Sequence, residues 1–176
     1  MVAATEAMIA ALERNWEMMD AALAGMDDAT LAQRPTDQCN SAAWILWHMS
    51  RVVDTVVHTR LRQAPQLWIT GGWHLKFGMG QDPDDRGVGW TAAQVAAWAP
   101  PSRNIQLNYY EVVKTAARAY LASLTPGDLE RRLVVPPAPE PRSVAAFLGL
   151  MTWDCIAHGG QIAYLRGFYR GMGWHR

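Results

Sequence analysis

Phe147, Met151, Asp154, His158, Gln161 and Leu165 follow one another at spacings of 4, 3, 4, 3 and 4. This spacing puts all six side chains on one face of an α-helix, and the apolar members predict that the face is buried. A carboxylate and an imidazole one turn apart can point at the same spot. A lone buried charge there would cost several kcal/mol or would be neutralised. Three arrangements answer that cost: an ion pair to Arg51 or Arg166, an ordinary hydrogen bond within the core, or a bound divalent metal.

The same periodicity recurs three more times. Residues 5–23 carry Met8, Ile9, Leu12, Trp16 and Met19, and the pattern breaks at Asp27-Asp28 and Arg34-Pro35. Residues 41–62 start at Ser41, a plausible N-cap, and carry an inward stripe of Ile45, His48, Met49, Val52, Val56 and Leu61. The four valines at 52, 53, 56 and 57 do not make this a strand, because the 3-and-4 spacing and the length favour a helix. Residues 102–124 are entered from Pro100-Pro101 and left at Pro126-Gly127, and the last pattern covers residues 143–168. The expectation is one all-α domain over residues 1–176, a four-helix bundle. The connection at residues 63–101 is longer than antiparallel neighbours need, which predicts a crossover with helices two and three parallel. Within it, Thr91 and Gln94 resemble a capping box. Pro136-Pro137, Pro139 and Pro141 predict a stiff linker into the last helix.

Composition removes several function classes. Lys+Arg and Asp+Glu balance at 16 each, and no basic run stands out, so nucleic acid is not an expected partner. No stretch reaches the roughly 20 apolar residues of a membrane span, and the N-terminal residues lack the pattern of a signal peptide. Cys39 and Cys155 lie far apart without a CxxC motif, which predicts reduced thiols in a cytoplasmic protein. Nine tryptophans suggest a core or pocket built from large rings.

His48 lies on the apolar side of the second helix, and Asp154 and His158 on that of the fourth. Facing helices of a bundle are where metal ligands are placed. Two imidazole nitrogens and one carboxylate oxygen suit zinc, nickel, iron or manganese, and three protein ligands leave positions open for water or a small-molecule substrate. Gln161 follows His158 on the same stripe, in reach of a ligand or a bound water. Trp44, Trp73 and His74 are candidate pocket-lining residues, although each also reads as packing, and His74 as an exposed loop residue. His58 turns away from His48, His175 is in the tail, Cys155 reads as a buried structural thiol and Asp54 as a solvated or capping charge.

The segments NSAAWILWHMSRVVD (residues 40–54) and DCIAHGGQIAYLRG (residues 154–167) resemble the ligand-bearing helices of the DinB-like (YfiT/DinB) proteins, and GGWHLKFGMG and GVGWT extend the likeness over nearly the whole chain. The resemblance implies an up-down-down-up four-helix bundle and a homodimer. It implies a divalent metal held by the positions of His48, Asp154 and His158. Asp154 stands where the family usually has His or Glu; the related mycothiol-dependent maleylpyruvate isomerases use a His, Glu, His set. It further implies an enzyme that activates a low-molecular-weight thiol, as a transferase or isomerase, or water, as a hydrolase. The alternative is a non-catalytic ligand-binding or stress-response bundle with a vestigial metal site. A non-haem iron oxygenase would use the same donor set, but nothing else in the chain resembles one.

Overall fold

The computed structural model of the chain describes residues 4–135 and 138–174. Pro136 and Pro137 of the expected linker, and His175, lie outside the described residues. The first long helix is α1 (Ala4–Ala24), followed by a single turn and a half, α2 (Asp28–Ala32). The second long helix is α3 (Ala42–Asp54), which widens into π-helical turns over Thr55–Leu61. Short helices α4 (Leu67–Thr70), α5 (Trp73–Lys76) and α6 (Ala92–Ala97) occupy the long connection. Then come α7 (Arg103–Ala122), α8 (Pro126–Glu130), a two-residue antiparallel pairing of β1 (Arg132–Leu133) with β2 (Arg142–Ser143), and α9 (Val144–Arg170). The chain is mostly helical, and the small ladder was not expected.

Helix starts follow their local chemistry. Ser41 Oγ accepts from Trp44 N at 3.1 Å, and Ser143 Oγ from Ala146 N at 3.2 Å. The Thr91–Gln94 capping box closes as its sequence suggests. Asp27 caps α2 through Thr30 N at 2.9 Å. Three consecutive β-branched residues, Thr55, Val56 and Val57, open the π-helical segment, where side chains crowd an ordinary α turn.

The four long helices share one core. α1 packs against α9 and α7, and α3 packs against α7 and α9. Between α1 and α7, Glu13 pairs with Arg118, Asp20 with Lys114 at 3.0 Å, and Leu23 O accepts from Arg103 Nη2 at 3.2 Å. α3 is the most enclosed, with twelve of its 13 residues buried; Val52, expected to face inward, is the half-buried one.

The buried line of α9 differs from the expected one. It runs through Val144, Leu148, Met151, Cys155, Gly159, Ile162 and Leu165, with Phe147 beside it. Asp154 and His158 are half-buried at its edge, and Gln161 is exposed. The reason is a close approach to α1. A Cβ on Gly159 would lie 2.1 Å from Asn15 Oδ1, and Asn15 Nδ2 donates to Cys155 O at 3.0 Å. The tightest helix contact therefore passes through Cys155 and Gly159, and the polar residues fall beside it, where a site can stay accessible.

Asp54 is not a solvated charge. It is fully buried and accepts from Leu67 N at 3.0 Å, Trp68 N at 2.8 Å and Tyr109 Oη at 2.8 Å, with His58 Nδ1 2.8 Å away. Its carboxylate caps α4 from outside that helix and joins α3, α4 and α7 at one point. Burial, reinforced by this carboxylate, pushes the Tyr109 phenol well above its ordinary pKa, so Tyr109 acts as a donor. Losing one partner of such a buried cluster leaves the others unsatisfied. Asp54→Ala is therefore expected to lower unfolding free energy by about 3 kcal/mol or more, whereas Tyr109→Phe should cost about 1 kcal/mol. Denaturant titration of the two variants checks both.

Candidate metal centre

His48 projects from the middle of buried α3, and Asp154 and His158 from adjoining turns of α9. One ligand atom from each falls in a group whose members all lie within 4.8 Å of one another. His48 Nε2 and His158 Nε2 are each 3.6 Å from Asp154 Oδ1. Donors held about 2.1 Å from a tetrahedral ion lie about 3.4 Å apart. The two His–Asp separations are close to that spacing, and the rest of the group, spread over at most 4.8 Å, would have to draw together by up to about 1.4 Å around one divalent cation.

The ring orientations are imposed from behind. His48 Nδ1 meets Arg86 O at 2.5 Å, and a carbonyl only accepts, so Nδ1 carries the proton. His158 Nδ1 faces Gln161 Oε1 at 2.7 Å in the same sense. In the neutral imidazoles the Nε2 atoms, each 3.6 Å from Asp154 Oδ1, are then left as the free ligand nitrogens. Asp154 Oδ2 is buried and has no hydrogen-bond partner among the described residues. A carboxylate oxygen without a partner among the described residues, in one group with two imidazole nitrogens, is a donor set that a cation would satisfy. Neither expected arginine reaches Asp154: Arg51 is engaged in the connection, and Arg166 packs at Gly25. Trp44 stacks on His48 with ring centroids 5.1 Å apart and planes within 5°, and the two imidazoles meet edge to face at 4.8 Å.

Trp73 and His74 lie elsewhere. Trp73 packs against Tyr109 and under Lys76, and His74 is buried, with Nδ1 3.1 Å from Trp68 O and Nε2 3.1 Å from Gln81 Nε2. The part of the connection that reaches the group is residues 85–90. Trp90 packs against Trp44 and Trp47, and its indole nitrogen donates to Asp85 Oδ1 at 3.1 Å.

Arg51, one turn beyond His48, holds that stretch in place. Its guanidinium is fully buried and donates to Asp82 O, Pro83 O and Asp85 O, each at 3.1 Å, and to Gln66 Oε1 at 2.5 Å. The chain segment so anchored ends in the carbonyl that orients His48. Gly87 follows at φ +78°, and a Cβ there would lie 2.5 Å from Trp44 and 2.8 Å from Trp47. The sequence pattern offered Arg51 only as an ion-pair partner for Asp154, because its actual partners are backbone carbonyls and a glutamine of the distant connection.

Gly89 has nearly the same φ, +79°, but open space where a Cβ would sit. Gly87→Ala should displace Arg86 O and Trp44 together and weaken divalent-cation affinity about tenfold. Gly89→Ala carries only the backbone strain, roughly 1–2 kcal/mol in stability, and should leave affinity within about twofold. Calorimetric titration of the pair with Zn²⁺ or Ni²⁺ reads the difference.

A protein-family model described as the DinB superfamily matches residues 11–162, a span that includes His48, Asp154, His158 and Gln161. A crystal structure described as that of a conserved protein from Enterococcus faecalis matches with TM-score 0.82 at 22% identity, covering 98% of this chain and 100% of that one, which shows a shared fold. No curated protein matches the chain. The chain belongs to the DinB superfamily.

Proposed function

We propose that the protein is a metal-dependent enzyme in which His48, Asp154 and His158 hold a divalent ion, zinc, nickel, iron or manganese, for reaction with a small-molecule substrate. The observation that carries this reading is the pair of imidazoles whose Nδ1 atoms meet Arg86 O and Gln161 Oε1, with both Nε2 atoms 3.6 Å from one carboxylate oxygen. Two neutral ligands and one carboxylate would leave a formal charge of about +1, able to lower the pKa of a bound thiol or water and to polarise a substrate oxygen. The protein's share is orientation. Arg86 O and Gln161 Oε1 keep the Nδ1 protons in place, and the Trp44 ring covers one face of His48 against water. The reaction class is thiol-dependent transfer or isomerisation, or hydrolysis.

The reading includes an up-down-down-up bundle. It is supported by the descending order of α7 partners along α1, from Arg118 through Lys114 to Arg103, and by Asn15 and Gly25 of α1 meeting α9 near Cys155 and Arg166 in ascending order. A homodimer is also proposed, supported by Leu150, Trp153 and Ile156, which are exposed along α9. A cytoplasmic location is supported by Cys39 and Cys155, both free thiols. No helix among the described residues is long and apolar enough to cross a membrane. The second reading, a non-catalytic ligand-binding or stress-response bundle with a vestigial site, predicts that the group binds no metal.

Equilibrium dialysis against each metal separates the two. The enzyme reading expects about one ion per chain, lost in His48→Ala and His158→Ala and weakened about 10–100-fold in Gln161→Ala. The loaded protein is then assayed with electrophiles and a panel of mycothiol, bacillithiol, glutathione and coenzyme A. Thiol-dependent turnover assigns transfer or isomerisation; turnover without thiol assigns hydrolysis. Full loading conditions with no bound ion would favour the non-catalytic reading.

A further inference from the structure

Beside the metal group lies an open cavity of about 630 Å³, between the turn that precedes α3 and the last turns of α9. Its size is that of a small-molecule pocket. Ile45, Leu165, Tyr164 and Phe168 form its apolar wall, and Asn40 and Gln161 supply polar groups. Gln161 belongs to both places: its Oε1 accepts from His158 Nδ1, while its side chain faces the cavity. Ala157, also in the wall, adjoins His158 in sequence. The cavity thus ends within one helical turn of the candidate ligands.

Two features limit what fits there. None of the described residues lining the cavity is charged. A carboxylate, phosphate or sulfonate lying along this wall would lose hydration without meeting a cationic side chain. Tyr164 and Phe168 present their rings side by side, centroids 6.3 Å apart and nearly parallel, yet both are more than half exposed. Exposed rings at the mouth of an apolar cavity gain from being covered by another flat apolar surface. The amide nitrogen of Gln161 has no partner among the described residues, which leaves a donor for one acceptor on a ligand.

We propose that this cavity is the substrate pocket of the site. It takes an uncharged small molecule with an aromatic or alkyl body and one hydrogen-bond acceptor directed at Gln161. The proposal rests on the reading of His48, Asp154 and His158 as a reactive metal centre, and it names the substrate class of that centre. The uncharged wall disfavours a substrate whose body carries an anionic group.

The test uses two fluorescent probes with the same aromatic body, neutral N-phenyl-1-naphthylamine and its sulfonated analogue 8-anilinonaphthalene-1-sulfonate, titrated into the full-length protein. The neutral probe is expected to bind at least tenfold more tightly. Gly160 lines the cavity from α9, and a Cβ there meets nothing within 4 Å, so a leucine at this position fills the pocket without disturbing the helix. Gly160→Leu is expected to weaken the neutral probe at least tenfold while metal stoichiometry is unchanged. Ala157→Leu provides a second filling variant. His158→Ala is expected to lose metal yet keep probe binding, so failure of the metal reading and failure of the pocket are seen separately. Equal or tighter binding of the sulfonate, or no effect of either filling variant, overturns the proposal. So does a dimer, seen by sedimentation, that Tyr164→Asp dissociates and that binds neither probe: the face would then be covered by a second copy.

Discussion

Arg51 places a full positive charge in the core, and much of the candidate site depends on how that charge is satisfied. Removing a guanidinium from water costs several kcal/mol unless its donors are nearly all occupied. Here they are occupied by the Asp82, Pro83 and Asp85 carbonyls and by Gln66, with the ring of Trp68 4.5 Å below the guanidinium carbon and Asp54 4.0 Å away. Carbonyls from one stretch of chain can converge on a planar fork only if that stretch curls around it. Arg51 therefore wraps this part of the long connection onto α3, and the next residue, Arg86, presents the carbonyl that meets His48 Nδ1.

This arrangement links stability to chemistry through geometry. Arg51 and His48 lie three residues apart on one helix, so the connection that satisfies the first also orients the second. On the other side, α9 sets Asp154 and His158 by its approach to α1 at Gly159. The site is the meeting of two independently braced helix faces. It gathers two imidazole nitrogens and a carboxylate oxygen that has no partner among the described residues, groups that a bound cation would satisfy. Pre-organisation of this type suits a site that takes up an ion without refolding.

Much of this was legible in sequence, for definable reasons. The four long helices carry strong 3-and-4 periodicity, and their boundaries shift by only a residue or two in the structure. The convergence of His48, Asp154 and His158, and the position of Gln161 behind His158, follow from spacing on two apolar faces together with the family resemblance. Other features had no sequence signal. Asp54 reads as a solvated or capping charge and Arg51 as a partner for Asp154, because their actual partners are backbone groups and distant residues. His74 looks like a loop histidine, yet the fold turns it into a buried brace of the connection. The true contact line of α9 was missed because Gly159, a residue with no side chain, decides where the helices touch. The cavity beside the site arises from the chain between α2 and α3 meeting the last turns of α9, which no local pattern encodes.

The central claim is that three side chains from two helices hold one ion. A crystal structure of protein grown with Zn²⁺ or Ni²⁺, with diffraction collected across the metal absorption edge, tests it most directly. The account predicts a single anomalous peak about 2.0–2.2 Å from His48 Nε2, His158 Nε2 and an Asp154 carboxylate oxygen, with Arg86 O and Gln161 still on the two Nδ1 atoms. A peak bound elsewhere, or none under saturating metal with His48 and Asp154 bonded to protein groups instead, would contradict it.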